Sequence, residues 1–183
     1  MKNQSNKPLN KLISNIFIEW GFTTEGLKDN RRGEWWLFAQ LIILLAHFVP
    51  SSPILSNWPL IVKGVSIIIF SYGFYRSYLS LITLGDNLSP LPEPKESAVL
   101  ITRGVYKSCR HPLYQSLLYV SFAFTCLRGS LIHLTLLILL SIILIKKARL
   151  EELKLKSKYY NYKAYMSYTP AIFKGIKFFD WRN

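Results

Sequence analysis

The sequence predicts an all-α, multi-pass membrane protein with about four spans, a short helical hairpin and a cytoplasmic C-terminal helix. Two observations carry this reading: apolar residues gather into four long blocks, and basic residues are segregated between them. Half of the 183 residues are hydrophobic and 18% are charged. The blocks cover 35–49, 58–84, 113–127 and 131–145, and their apolar residues do not follow amphipathic spacing, which suits helices surrounded by lipid. Six Lys/Arg precede residue 35, four lie within 85–112 and ten follow residue 145. The stretch 50–57 holds none, and the turn 128–130 holds Arg128 alone. The positive-inside tendency therefore places both termini and 85–112 on the cytoplasmic side, with 50–57 and 128–130 outside. This arrangement accounts for the net charge of +13 without nucleic acid, with anionic membrane lipids as the expected partner.

Taken in order, residues 1–34 form a cytoplasmic N-terminal segment. In KLISNIFIEWGF, Leu12, Ile13, Ile16, Phe17 and Trp20 share one helical face while Asn15 and Glu19 interrupt any apolar core. That pattern predicts an interfacial helix rather than a signal peptide. EGLKDNRRGE then reads as a turn. Residues 35–183 form one integral membrane domain. Block 58–84 exceeds the roughly 20 residues a span requires, and 35–49 reaches that length with its flanks. Pro90, Pro92 and Pro94 stand at alternate positions and favour an extended connector within 85–112. Blocks 113–127 and 131–145 are about 22 Å of helix each on either side of a tight Arg-Gly-Ser, which predicts the hairpin. Cys109 and Cys126 lie at different depths and form neither a disulfide framework nor a metal pair.

The hairpin makes its two ends neighbours. Counted from Arg128 and Gly129, Pro112 and Lys146 share a depth at the cytoplasmic face. Pro112 suits a first helical position, where no N–H donor is needed. Arg110, His111, Arg149, Glu151 and Glu152 then converge on a polar pocket, bordered by Tyr106 and Tyr114. Glu151 has a pairing partner in Lys147 one turn earlier, and Tyr159, Tyr160, Tyr162 and Tyr165 suit a membrane interface. Composition and topology alone point first to a structural or transport subunit. No Ser-His-Asp order, metal spacing or phosphate loop is visible.

LITRGVYKSCRHPLY, the hairpin, and then ARLEELKLKSKYYNYKAYMSYTPAIFKGI resemble the isoprenylcysteine carboxyl methyltransferase family and the wider group that includes phospholipid N-methyltransferases. The resemblance runs over 84–176, and GDNLSPLPEPKESAVL resembles the connector of many bacterial members. It implies a multi-pass enzyme that uses S-adenosylmethionine at the cytoplasmic side and a lipidic or prenylated acceptor from the membrane. By matching motif it implies cofactor-binding roles for Gly104, Tyr106, Arg110, His111, Pro112, Tyr114, Glu151 and Glu152, with Glu152 the favoured carboxylate. It implies catalytic roles for Arg149, facing the acceptor, and His111. Gln115-Ser116 replaces the small residue or glycine often found after RHPxY, no glycine precedes the late tyrosine pair, and Phe173 or Lys174 stands where proline is usual. These departures bear on the acceptor cavity.

Methyl transfer from a sulfonium is an in-line displacement and needs the reacting atoms aligned at close range. A carboxylate acceptor is already ionised near neutral pH and needs no base, and Arg149 or Arg110 suits its orientation. An amine acceptor must lose a proton, for which His111 or a glutamate is the candidate. Carboxyl O-methylation is the favoured expectation. An amine N-methyltransferase and a non-enzymatic scaffold are the alternatives.

Overall fold

A computed structural model describes residues 22–30, 32–50 and 59–182. The interfacial helix expected over 12–20 and all but the first residue of the connection 50–57 lie outside them. The described residues form helices α1 (Thr24–Asp29), α2 (Glu34–Ala46), α3 (Leu60–Leu84), α4 (Pro112–Arg128), α5 (Leu131–Lys158) and α6 (Tyr162–Tyr168). Two single 3₁₀ turns, Gly85–Asn87 and Gly104–Lys107, punctuate the connector. The fold is all-α, and no strand occurs among the described residues.

Local chemistry sets the boundaries. The Thr23 hydroxyl accepts from the Gly26 N–H at 2.9 Å and caps α1, as short oxygen-bearing side chains do. Pro112 opens α4, and Gly129 closes it with φ of 57°. A left-handed residue there turns the chain sharply enough for α5 to begin two positions later. α5 then runs unbroken for 28 residues. Its apolar part ends at Ile145, and the charged remainder carries the same helix beyond the apolar layer.

α3 packs along α4, α4 against α5, and α2 against α5. At Gly73 a Cβ would stand 2.8 Å from Val120 Cγ2, so a larger residue would force α3 and α4 apart. Ile43, Leu118, Leu140 and Leu144 form the core together with Ala171 and Ile172 from the tail beyond α6. Near the turn of the hairpin, His47 and Ser121 share a hydrogen bond of 2.7 Å, and His133 donates to the His47 carbonyl at 3.0 Å. These bonds tie α2, α4 and α5 where polar groups have no water to turn to.

Phe38, Ile42 and Leu45 on α2, Ile61, Ile68 and Phe74 on α3, and Ile138 and Ile142 on α5 are exposed. A surface this apolar suits lipid rather than water. Residues 60–87 and α5 are long and apolar enough to cross a membrane. α2 and α4 are shorter, at 13 and 17 residues. The connector lies along the charged part of α5. Lys154 pairs with Glu93 at 3.0 Å, Tyr159 donates to the Ala98 carbonyl at 2.5 Å, and Lys158 donates to the Lys95 and Glu96 carbonyls.

Candidate functional site

The first turn of α4 and the charged extension of α5 meet, as the hairpin requires. Glu152 is the hub. Its Oε1 accepts from Arg110 Nε at 2.7 Å and His111 Nε2 at 2.9 Å, and its Oε2 accepts from Trp181 Nε1 at 2.7 Å. The Arg110 side chain is fully buried. Besides Glu152, it donates to the carbonyls of Met166, Thr169 and Trp181. The backbone N–H groups of Arg110 and His111 donate to the Pro170 and Ala171 carbonyls, and the Cys109 thiol donates to the Ala171 and Ile172 carbonyls. Residues 166–172 and Trp181 are therefore fastened to the residues that lead into α4.

Glu151 has different surroundings. Its side chain is 30% exposed. Its Oε2 accepts from the Tyr114 hydroxyl at 2.9 Å and stands 3.6 Å from His111 Nδ1. The His111 and Tyr114 rings stack 5.4 Å apart at 6°. Burial pulls the His111 pKa down, but hydrogen bonds and charge from Glu151 and Glu152 outweigh it and raise the pKa to about 9. Burial pushes the Glu152 pKa up, yet the His111 hydrogen bond and charge, with Arg110, bring it down to about 2. The imidazolium and carboxylate thus hold each other in their charged forms. Burial raises the Cys109 thiol to about 12, which leaves it protonated and unreactive.

Two cavities meet at this corner. A cleft of about 80 Å³ lies between connector and α5, where Asn87, Tyr106, Arg110, Glu151, Tyr162 and Tyr165 face apolar residues such as Leu91, Val99, Ile101 and Leu155. The Tyr162 hydroxyl is buried without a hydrogen-bond partner. A larger chamber of about 230 Å³ lies between the helices, with Leu37, Gln40, Leu117, Tyr114, Lys147 and Glu151 in its lining. Tyr106, Arg110 and Glu151 border both spaces.

The structure brings together Arg110, His111, Glu151 and Glu152, with Tyr106, Pro112 and Tyr114 beside them. Two expected residues are placed elsewhere. Arg149 is exposed and stands over the Trp181 ring at 5.1 Å, lining neither cavity. The reason is helical phase: residues 147 and 151 are one turn apart and share a face, whereas 149 points about 200° away from 147. Gly104 begins the second 3₁₀ turn beside Thr83 and also lines neither cavity. Glu152, the favoured cofactor carboxylate, has both oxygens taken by protein donors. The free carboxylate edge belongs to Glu151. Sequence reasoning missed Lys147 as the inward-facing cation, for which the i, i+4 relation to Glu151 was the available signal. It also missed Gln40, Tyr162 and Trp181, which only tertiary folding brings in.

No protein-family profile, curated protein or solved structure matches this chain.

Proposed function

We propose that this chain is an integral membrane methyltransferase of four spans, with both termini cytoplasmic, that methylates a lipophilic acceptor, preferably on a carboxylate. In this reading it is similar to the isoprenylcysteine carboxyl methyltransferases, and S-adenosylmethionine is its cofactor. The observation that carries the proposal is the meeting of a small cleft of mixed lining and a larger, predominantly apolar chamber at a shared wall that includes Ser89, Tyr106, Arg110 and Glu151. A polar and a lipid-soluble reactant need this layout, because each must be held in its own solvent while their reacting atoms approach.

The residues around the cleft fit the cofactor. Glu151 offers acceptor-only oxygens to ribose hydroxyls or an ammonium group. Tyr106, Tyr162 and Tyr165 supply rings suited to a cation, and the unpartnered Tyr162 hydroxyl remains for a ligand polar atom. The cleft alone is small, so a nucleoside extends over its solvent mouth or into the chamber. When bound, S-adenosylmethionine supplies a methyl group on a positively charged sulfur. The chain's residues orient the two reactants and exclude water from the chamber. His111 stays protonated below about 9, which makes it a poor proton acceptor at neutral pH and favours a carboxylate acceptor over an amine. Its role is to fix Glu151 and Glu152 in place.

Calorimetric titration of the detergent-purified protein with S-adenosylmethionine tests the reading. Saturable binding is expected, and a folded sample that shows none returns the chain to a scaffold or transport component. Topology is tested by cysteine accessibility: Ser97→Cys should label from the cytoplasmic side and the exposed Arg128→Cys from outside, and labelling of Ser97→Cys from outside sealed cells overturns the four-span arrangement.

A further inference from the structure

Arg76 is a cation within an apolar helix, and its hydrogen-bond partners are both neutral. It lies eight positions before the end of α3, about 12 Å in along the axis, with exposed Tyr72, Tyr75 and Tyr78 on the same helix. Its Nη2 donates to Gln115 Oε1 at 2.6 Å and its Nη1 to the Ser108 hydroxyl at 3.4 Å. Gln115, one of the departures from the family pattern, is fixed in turn by donating to the Ile172 carbonyl at 2.6 Å. Arg76 forms no ion pair among the described residues, and its Nε is buried without a partner. A guanidinium carries five N–H donors, so most of them are unmet. A cation at membrane depth is costly without an anion.

This corner lies on the far side of the α3–α4 contact from the chamber. Gly73, close to Val120 and the Ser116 carbonyl, marks the line along which the two helices touch. To one side Ser77, Leu113 and Leu117 line the chamber. To the other, Arg76, Tyr72, Ile69, Val65 and Val62 recur at three- and four-residue steps and form one stripe of α3. Gln115, Tyr119, Phe122 and Cys126 form the matching stripe of α4. The stripes meet at Arg76 and Gln115, then at Tyr72 and Tyr119, whose rings stand edge-on at 5.4 Å. Beyond the tyrosines, Val62, Val65, Ile69, Phe122 and Cys126 border an open groove of about 250 Å³. Ser66, also in its wall, returns its hydroxyl to the Val62 carbonyl. None of these residues lines the cleft or the chamber.

We propose that this outer seam of α3 and α4 holds one glycerophospholipid of net negative charge, with its phosphodiester on Arg76 and one acyl chain in the groove. The guanidinium fork matches phosphate oxygens. With no carboxylate paired to Arg76, the corner offers nothing to a head-group amine, which favours an anionic head over a zwitterionic one. From Arg76 to Val65 the helix rises about 16 Å, close to half of a hydrocarbon core of about 30 Å. A tail from the cytoplasmic leaflet therefore ends in the groove. The lipid is a fixed neighbour of the helices and not a methyl acceptor. Its site rests on the membrane embedding proposed above, but not on methyl transfer.

The test uses the full chain in phosphatidylcholine nanodiscs that hold a trace of phosphatidylglycerol with a diazirine on its acyl chain. Label is expected at Val65–Ile69 and Phe122–Cys126. Added unlabelled phosphatidylglycerol should displace it, and the same amount of diacylglycerol should not. Arg76→Gln should weaken labelling about tenfold or more, the effect of losing a charge-assisted hydrogen bond, and Arg76→Lys should keep part of it. Equal displacement by diacylglycerol, or label spread over the lipid-facing surface, overturns the site even if Arg76→Gln fails to fold. Label gathered in the chamber at Leu37 and Leu117 overturns it too, as does displacement by soluble glycerophosphate, which marks a site for a free anion. Methyl transfer, followed in parallel, should survive Arg76→Gln, and its absence from the unaltered chain bears on the enzymatic reading alone. A chain that does not enter nanodiscs overturns the membrane embedding and the site with it.

Discussion

Glu151 and Glu152 are neighbours in the chain, yet their surroundings differ in kind. Glu152 itself is fully matched: Arg110, His111 and Trp181 fill both its oxygens, and Arg110 spends its remaining donors on backbone carbonyls. Around Glu151 the matching is incomplete. One carboxylate edge is open, Lys147 hydrogen-bonds to the neutral Gln40, and the Tyr162 hydroxyl has no partner. A fully satisfied network fixes a conformation, whereas unmet donors and acceptors beside a cavity are available to a ligand. The first region is built as a frame, and on the function proposed the second is the receptacle.

The largest expected effect comes from attacking the frame. Glu152→Ala leaves Arg110 buried without its counter-charge and His111 with Glu151 alone, and should cost about 3–5 kcal/mol of stability, read as a lowered melting temperature. An unchanged melt breaks the comparison. Glu151→Gln should do the opposite, weakening S-adenosylmethionine binding about tenfold to a hundredfold by removing a charged acceptor while the melt barely moves. If Glu152→Gln instead abolishes binding in a stably folded protein, the two roles are exchanged.

The pH dependence sharpens the same contrast. The folded-state pKa of His111 lies above its ordinary 6.5, so its contribution is fully present below 6.5 and is lost as pH rises through about 9. Glu152 lies below its ordinary 4.5, so its contribution is present above 4.5 and is lost as pH falls through about 2. Melting temperature should therefore decline between pH 7 and 10, and His111→Gln should flatten that limb. Trp181→Phe keeps the ring under Arg149 but removes one donor to Glu152, for about 1.5 kcal/mol. The smallest effect is expected at Arg149→Ala, within about 0.5 kcal/mol and with little change in methyl transfer. A large loss of turnover there would restore Arg149 to the acceptor side.

The helices were legible because apolar runs and charge segregation are local. The blocks 113–127 and 131–145 anticipate α4 and the first part of α5 almost to the residue, and counting outward from Gly129 anticipates the meeting of His111 with Glu152. What counting could not supply was the sharing of partners within the cluster. That depends on side-chain phase, which separates Lys147 from Arg149, and on Trp181, which returns from 29 positions beyond Glu152. The tail carries no apolar periodicity to announce its docking. Its fastening is made mostly of backbone carbonyls, which every sequence possesses and none advertises.

That fastening bears on how the protein is made. Arg110 is synthesised before the carbonyls of Met166, Thr169 and Trp181 exist to receive it. Until then Glu152 alone among these partners is at hand for its guanidinium. The corner is complete only when the segment behind α6 has left the ribosome. A nascent chain stalled before that point would hold the hairpin with most of the arginine's donors unmet.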